Sequence, residues 1–206
     1  MKFETGKAAI VLVDLQKGFV EDTGFVAVQG RDVSTCRAAA LRGVALADRA
    51  RAAGMPVFWL RYVLRPDYAD AGVLIDEIRP NVKRLGGMRS DAPDTGLMDA
   101  IRIAPQDTVI DKTRYSGFVG TSLEPALRAR GVSQLVVCGV TTSMCVESTV
   151  RDAGQRDYRV FVARECCGDF DQARHEASLK AMEFGFARVV GDNELAAAFA
   201  RGAAEF

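Results

Sequence analysis

Residues 134–145 read QLVVCGVTTSMC, and this stretch decides the fold. Its first seven residues form a near-continuous apolar run of strand length, the pattern of a strand buried on both faces. A short polar turn follows, and from Cys145 to Gln155 the residues fall into helical spacing. Strand, turn and helix in that order is the repeating unit of a parallel sheet, because parallel neighbours cannot be joined by a hairpin and need a crossover. The same unit recurs in both directions along the chain. Ala8–Val13, Pro56–Val63, Asp107–Asp111 and Tyr158–Ala163 read as further buried strands, with Ala187–Val190 a weaker sixth. Thr35–Ala53, Leu123–Arg130, Arg174–Phe184 and a closing Asn193–Ala204 read as helices, several of them stopped by a following glycine. The expectation is a three-layer α/β/α architecture of Rossmann-like type, with residues 1–206 as one domain.

The segment from Leu64 to Pro105 departs from this rhythm. It carries four of the six prolines and dense Arg and Asp, with a helix expected near Gly72–Leu85. An excursion of this length inside one sheet reads as lid and pocket material. Its arginines Arg65, Arg79, Arg84 and Arg89 are candidates to meet a substrate carboxylate.

Charge and composition narrow the function. Lys+Arg and Asp+Glu are both 27, a balance that argues against nucleic acid or an anionic membrane as partner and favours a small molecule or a second copy of the chain. The first apolar run meets Asp14 after six residues, too short for a membrane span or an export signal, so the expected location is cytoplasmic. Five cysteines without a C-x-x-C pair and a single histidine, His175, argue against a zinc cluster. The dinucleotide, P-loop, nucleophile-elbow and zincin motifs are all missing. His175 itself reads as a surface or capping residue on a helix. Any acid, base or nucleophile must then be a carboxylate, a lysine or a thiol.

In open parallel sheets, ligands bind outside the carboxyl ends of the strands. Those ends carry Asp14 and Gln16 after the first strand, Lys112 after the Asp107–Asp111 strand, and Thr141–Cys145 at the opening of a helix. A carboxylate, an ammonium and a thiol are thereby brought to one rim. A free thiol and a free carboxyl differ by about 4.6 pK units, so moving the proton from sulfur to carboxylate costs about 6 kcal/mol in water. A helix N-terminus and the Lys112 charge would stabilise the thiolate, and partial desolvation would make Asp14 a better proton acceptor. Cys36 and Cys138 read as structural, as do Cys166 and Cys167, although the last two follow a strand that could bring them near the rim.

The segments Val13-Asp14-Leu15-Gln16-Lys17-Gly18-Phe19, Lys112 to Leu123 and Gly139 to Thr149 together resemble the isochorismatase-like cysteine hydrolase family. The Lys112 and Cys145 segments look most like ureidoacrylate amidohydrolases and biuret hydrolases, while Glu165–Asp169 and His175 look more like N-carbamoylsarcosine amidases. The resemblance implies a six-stranded parallel sheet and a catalytic triad of Asp14, Lys112 and Cys145. It also implies a cis peptide between Val140 and Thr141, and an oxyanion hole from the Thr141 and Cys145 amides. Phe19, Tyr115 and Phe118 become candidate pocket walls by motif position, with plain core packing the alternative, and Gln16 a candidate either to orient Asp14 or the substrate or to make a simple backbone contact. Nicotinamidases of the family carry a metal site where this chain reads Leu60–Arg65 without histidine, so no metal or other cofactor is expected. The expected activity is cysteine-dependent hydrolysis of a small ureido, carbamoyl or primary amide. The alternatives are enol-ether hydrolysis that bypasses Cys145 and a non-catalytic oligomeric role. By analogy with relatives, a dimer or tetramer is expected.

Overall fold

Six consecutive buried apolar residues, Ala8–Val13, fit a strand only near the centre of a sheet that is covered on both faces. The structure, a computed structural model describing residues 1–206, places them there. Its strands are β1 (Lys2–Glu4), β2 (Ala8–Val13), β3 (Val57–Tyr62), β4 (Thr108–Lys112), β5 (Gln134–Val140), β6 (Arg159–Gly168), β7 (Arg188–Val190) and β8 (Ala203–Glu205). Six form one parallel sheet in the order β4-β3-β2-β5-β6-β7. The helices are α1 (Lys17–Val20), α2 (Ser34–Ala52), α3 (Asn81–Arg84), α4 (Leu123–Ala129), α5 (Glu147–Gly154), α6 (Gln172–Gly185) and α7 (Asp192–Arg201).

From β2 the chain steps outward to β3 and β4, and from β5 it steps the opposite way to β6 and β7. Right-handed crossovers then put α2 on one face and α4 and α5 on the other. In agreement, α2 packs with α7, and α5 packs with α6. The reversal between β2 and β5 opens a crevice at their carboxyl ends, the place where such sheets bind ligands.

Three differences from the sequence reading have local causes. β6 runs on to Gly168 instead of stopping at Ala163, because its register against β5 shifts: Val137 pairs with Val162, but Gly139 pairs with Cys167. The closing helix ends at Arg201, three residues early, where Gly202 takes a left-handed conformation (φ 82°). The chain then forms β8, which pairs antiparallel with β1. The helix expected over Gly72–Leu85 is broken into a π turn at Leu74–Ile78 and the short α3. Pro80 is the reason, since a proline disfavours helical geometry at the residue before it, and Arg79 sits at φ −128°, ψ 53°.

Gly139 is the residue on which the crevice geometry turns. At φ 130° it lies in backbone space that side chains rarely enter, and a Cβ there would stand 2.1 Å from the Val13 carbonyl oxygen. Gly139→Ala should therefore cost roughly 3 kcal/mol or more in urea or thermal unfolding, because β2 and β5 would have to separate. Gly131→Ala is the control. It shares a positive φ of 66° but has open space around it, so about 1–2 kcal/mol is expected.

Candidate active site

β2 ends at Val13, and the next residue, Asp14, turns off the strand in a left-handed conformation (φ 55°) uncommon for a non-glycine residue. Two backbone bonds hold it there: its N–H donates to Leu60 at 3.0 Å, and its carbonyl accepts from the Gln16 N–H at 2.7 Å. The turn aims its carboxylate across β3 toward β4. There Lys112, in register with Tyr62, donates from Nζ to Asp14 Oδ2 at 2.8 Å and to the Arg114 carbonyl at 3.2 Å. The same Nζ lies 5.0 Å from the centre of the Tyr62 ring. Both side chains of this ion pair are wholly out of solvent.

β5 delivers the third group. After a cis peptide between Val140 and Thr141, residues Thr142–Val146 form a π turn that leads into α5. Cys145 sits in that turn, is 6% exposed, and lines a cavity together with Thr141. The Thr141 N–H is engaged by no backbone carbonyl. The Cys145 thiol is close enough to Asp14 and Lys112 to influence the titration of both. Asp14 Oδ1 is buried without a well-aligned hydrogen-bond partner, so the carboxylate keeps one oxygen free to take a proton.

Burial and charge set the protonation states. Desolvation raises the Asp14 pKa above its ordinary value, against the opposing pull of Lys112. Burial alone would lower Lys112, but the Asp14 charge, followed by Cys145, outweighs it and the ammonium is held more firmly than usual. Burial also pushes the Cys145 thiol well up, with Lys112 opposing. The sequence reading expected a thiolate favoured by a helix terminus and Lys112. Desolvation outweighs the pull of Lys112 and favours the protonated sulfur.

A second carboxylate, which the sequence reading missed, fixes the turn that carries the cysteine. Asp169, its side chain fully buried, accepts from the Ser143 N–H at 2.9 Å and the Ser143 hydroxyl at 2.6 Å through Oδ2. Its Oδ1 accepts from Arg174 at 3.1 Å. Desolvation would raise the Asp169 pKa, but these donors outweigh it and lower the value. The neighbouring His175 is half-buried rather than a surface residue, and its Nδ1 lies 2.9 Å from the Thr142 hydroxyl. Burial lowers its pKa from 6.5, so it is neutral at pH 7.

The cavity above Cys145 has a volume of about 260 Å3. Among the residues expected at the site, Phe19, Tyr115, Thr141 and Cys145 line it, while Asp14 and Lys112 are buried beside Cys145. Two candidates lie elsewhere. Gln16 spends its amide on backbone: Nε2 donates to the Tyr62 and Thr95 carbonyls, each at 3.0 Å, and Oε1 accepts from the Tyr62 N–H at 2.6 Å. It therefore pins β3 to the Thr95 loop and does not face the cavity. Phe118 packs against Tyr158 and Arg156 away from it. Of the four candidate arginines in the excursion only Arg79 reaches the cavity. Arg65 and Arg89 pair with Asp67 and Asp91, and Arg84 with Asn81. Cys166 and Cys167 are buried in β6 and do not line it. Tyr62 does, although the sequence reading passed over it. Its buried hydroxyl has no partner, and the strand-end rule applied to β3 would have found it.

A parallel-sheet crevice with a thiol at its floor and a buried carboxylate–ammonium pair beside it defines a class of small-molecule hydrolase scaffold. The Isochorismatase domain family model matches residues 8–194, and the chain belongs to that family. A protein of Methylorubrum extorquens named ureidoacrylate amidohydrolase RutB is 33% identical over 199 residues, covering 90% of this chain and 77% of its own. The crystal structure of a cysteine hydrolase from Pseudomonas syringae pv. phaseolicola superposes with a TM-score of 0.89 at 29% identity, covering 97% of this chain and 95% of that one. The N-carbamoylsarcosine amidase from Thermoplasma acidophilum follows at a TM-score of 0.71 and 25% identity, covering 91% and 97%.

The buried pair makes a direct test. Lys112→Met keeps the stem but leaves Asp14 without its counter-charge, which should cost about 3–5 kcal/mol at neutral pH. Without Lys112 the Asp14 pKa rises further above its ordinary 3.8. A carboxyl with a raised folded-state pKa supplies stability at low pH that is lost as pH rises through that value. Urea unfolding should show the deficit widening as pH rises above 3.8, and a deficit independent of pH would contradict the assignment.

Proposed function

We propose that this protein is a cysteine-dependent amidohydrolase acting on a small ureido, carbamoyl or primary amide compound. The observation that carries this reading is the Lys112–Asp14 ion pair, 2.8 Å long and sealed from solvent, beside a cysteine that opens onto the cavity. The family membership and the amidohydrolase names of the relatives point the same way.

In the proposed reaction the substrate carbonyl rests against Cys145, with its oxygen toward the Thr141 and Cys145 amides. Sulfur attacks carbon as the thiol proton passes to the free oxygen of Asp14. Because burial holds the thiol protonated, transfer and attack proceed together rather than through a standing thiolate. The amides stabilise the tetrahedral oxyanion, a contribution commonly of about 3 kcal/mol per donor. Asp14 returns its proton to the leaving nitrogen, ammonia departs, and a thioester or thiocarbamate remains. Water then attacks this acyl group, giving its proton to Asp14, and the C–S bond breaks with that proton returning to sulfur. A ureido substrate thus consumes one water and yields ammonia and a carbamate, which breaks down to amine and carbon dioxide. Lys112 keeps Asp14 ionised between these transfers. The free Tyr62 hydroxyl donates to a polar group of the substrate.

An ammonia-release screen over ureidoacrylate, biuret and N-carbamoyl compounds tests the reading. Cys145→Ala and Asp14→Asn should each lower kcat by about 1,000-fold or more while leaving the fold intact by circular dichroism. Retained turnover in Cys145→Ala would overturn the cysteine mechanism. The pH profile supplies a second check. Asp14 must be ionised to accept the proton, and burial raises its pKa, so the acid limb of kcat/KM should lie above 3.8 and vanish in Asp14→Asn.

A further inference from the structure

The cavity is built largely from the Leu64–Pro105 excursion and from residues just after β2. These segments assemble a small apolar cluster of their own, separate from the sheet core. Phe25, Ile75, Val82 and Met88 belong to it, and together with Phe19 and Phe170 they turn apolar surface toward the cavity. A ureido group alone would cover little of that surface.

The charges lining the cavity are one-sided. Three arginines reach it, Arg31, Arg79 and Arg174, and no Asp or Glu does. Arg174 is already neutralised by Asp169, and Arg31 stands exposed at the mouth. Arg79 differs from both. It is half-buried, it has no carboxylate partner, and the only polar contact of its guanidinium is Met144 Sδ at 3.7 Å. Met144 precedes Cys145, so this unpaired guanidinium stands over the turn that bears the proposed nucleophile. It also acts on the Tyr115 hydroxyl, whose titration it opposes burial in shifting. A half-buried cation in an apolar cavity gains most from a ligand that brings the missing anion. The break at Pro80 is what turns Arg79 out of helical geometry.

We infer that the substrate combines three parts: the scissile ureido or amide group over Cys145, an apolar body of branched-aliphatic or aromatic size, and a carboxylate paired with Arg79. N-carbamoyl derivatives of apolar amino acids have this chemistry, and a body of that size suits about 260 Å3. The inference rests on the amidohydrolase reading and adds the substrate class to it.

Binding is measured by calorimetry on the Cys145→Ala protein, residues 1–206, with three probes. N-carbamoylleucine carries all three parts, N-carbamoylglycine lacks the apolar body, and isopentylurea lacks the carboxylate. N-carbamoylleucine should bind at least tenfold more tightly than either of the others. Adding Arg79→Gln should erase its advantage over isopentylurea, and Arg79→Lys should restore part of it. Equal affinities, a preference for isopentylurea, no binding of N-carbamoylleucine, or an advantage that survives Arg79→Gln would each overturn the inference. Ammonia release by the wild-type protein separates the two levels. Cys145-dependent turnover without the predicted binding order removes only the substrate class. The binding order without turnover of any ureido compound removes the hydrolytic reading.

Discussion

The ion pair between Asp14 and Lys112 is the constraint to which the rest of the site conforms. Removing two charges from water costs several kcal/mol per ion, and their attraction repays this only with short, well-oriented contacts and further hydrogen bonds. Lys112 meets those terms: Asp14 Oδ2 at 2.8 Å, the Arg114 carbonyl at 3.2 Å and the face of Tyr62 share its ammonium. Asp14 does not meet them fully, since Oδ1 has no aligned partner. A structural ion pair would be expected to satisfy both oxygens. The imbalance suits the proton-carrying role proposed for Asp14, and the left-handed backbone there is held in place by the neighbouring Leu60 and Gln16 bonds.

Support for the cysteine comes from the opposite side of the crevice. β5 and β6 fall out of step between Val137 and Gly139, where one residue of β5, Cys138, faces four of β6, Ala163 to Cys166. The extra residues lengthen β6 and carry Asp169 to the Ser143 turn, where a single carboxylate oxygen takes both the amide and the hydroxyl. His175 and Arg174, from the first turn of α6, bind the same region through Thr142 and Asp169. The turn is thus tied to β6 and α6, and Gly139 lets β5 approach β2 closely enough that the cysteine stands over the ion pair. Positioning by rigid elements matters because small displacements of reacting groups cost large factors in rate.

Periodicity revealed the sheet because its signal is local and strong. Ala8–Val13 and Gln134–Val140 occupy the same bounds in the sequence reading and in the structure. The strand-end rule located Asp14, Lys112 and the Thr141–Cys145 turn without knowledge of the fold's details. What escaped notice depends on non-local geometry. The β6 bulge exists only relative to β5, so nothing in ARECCG announces it, and Asp169 gains its place only through that shift. Gln16 follows the expected aspartate by two residues, yet its amide is taken by the Tyr62 and Thr95 backbone, a saturation that spacing cannot reveal. Within the excursion, the four candidate arginines look alike in sequence. Arg79 alone reaches the cavity, because Pro80 interrupts the helix beside it.

The elevated thiol gives the proposed chemistry its order of events. A cysteine held as a thiolate would be nucleophilic at all times and equally open to oxidation. Here burial keeps the proton on sulfur, and burial likewise raises the affinity of Asp14 for that proton. The two shifts act in concert: burial favours the proton-bound form of each group, and transfer from sulfur to Asp14 leaves the local charge inventory unchanged, since the negative charge that leaves Asp14 reappears on the developing oxyanion. Lys112 and the backbone amides flank both locations, so the charge migrates without leaving their field. A ligand that fills the apolar cavity excludes water and strengthens those interactions further. Under this mechanism the same desolvation that silences the free cysteine promotes reaction once a carbonyl is in place.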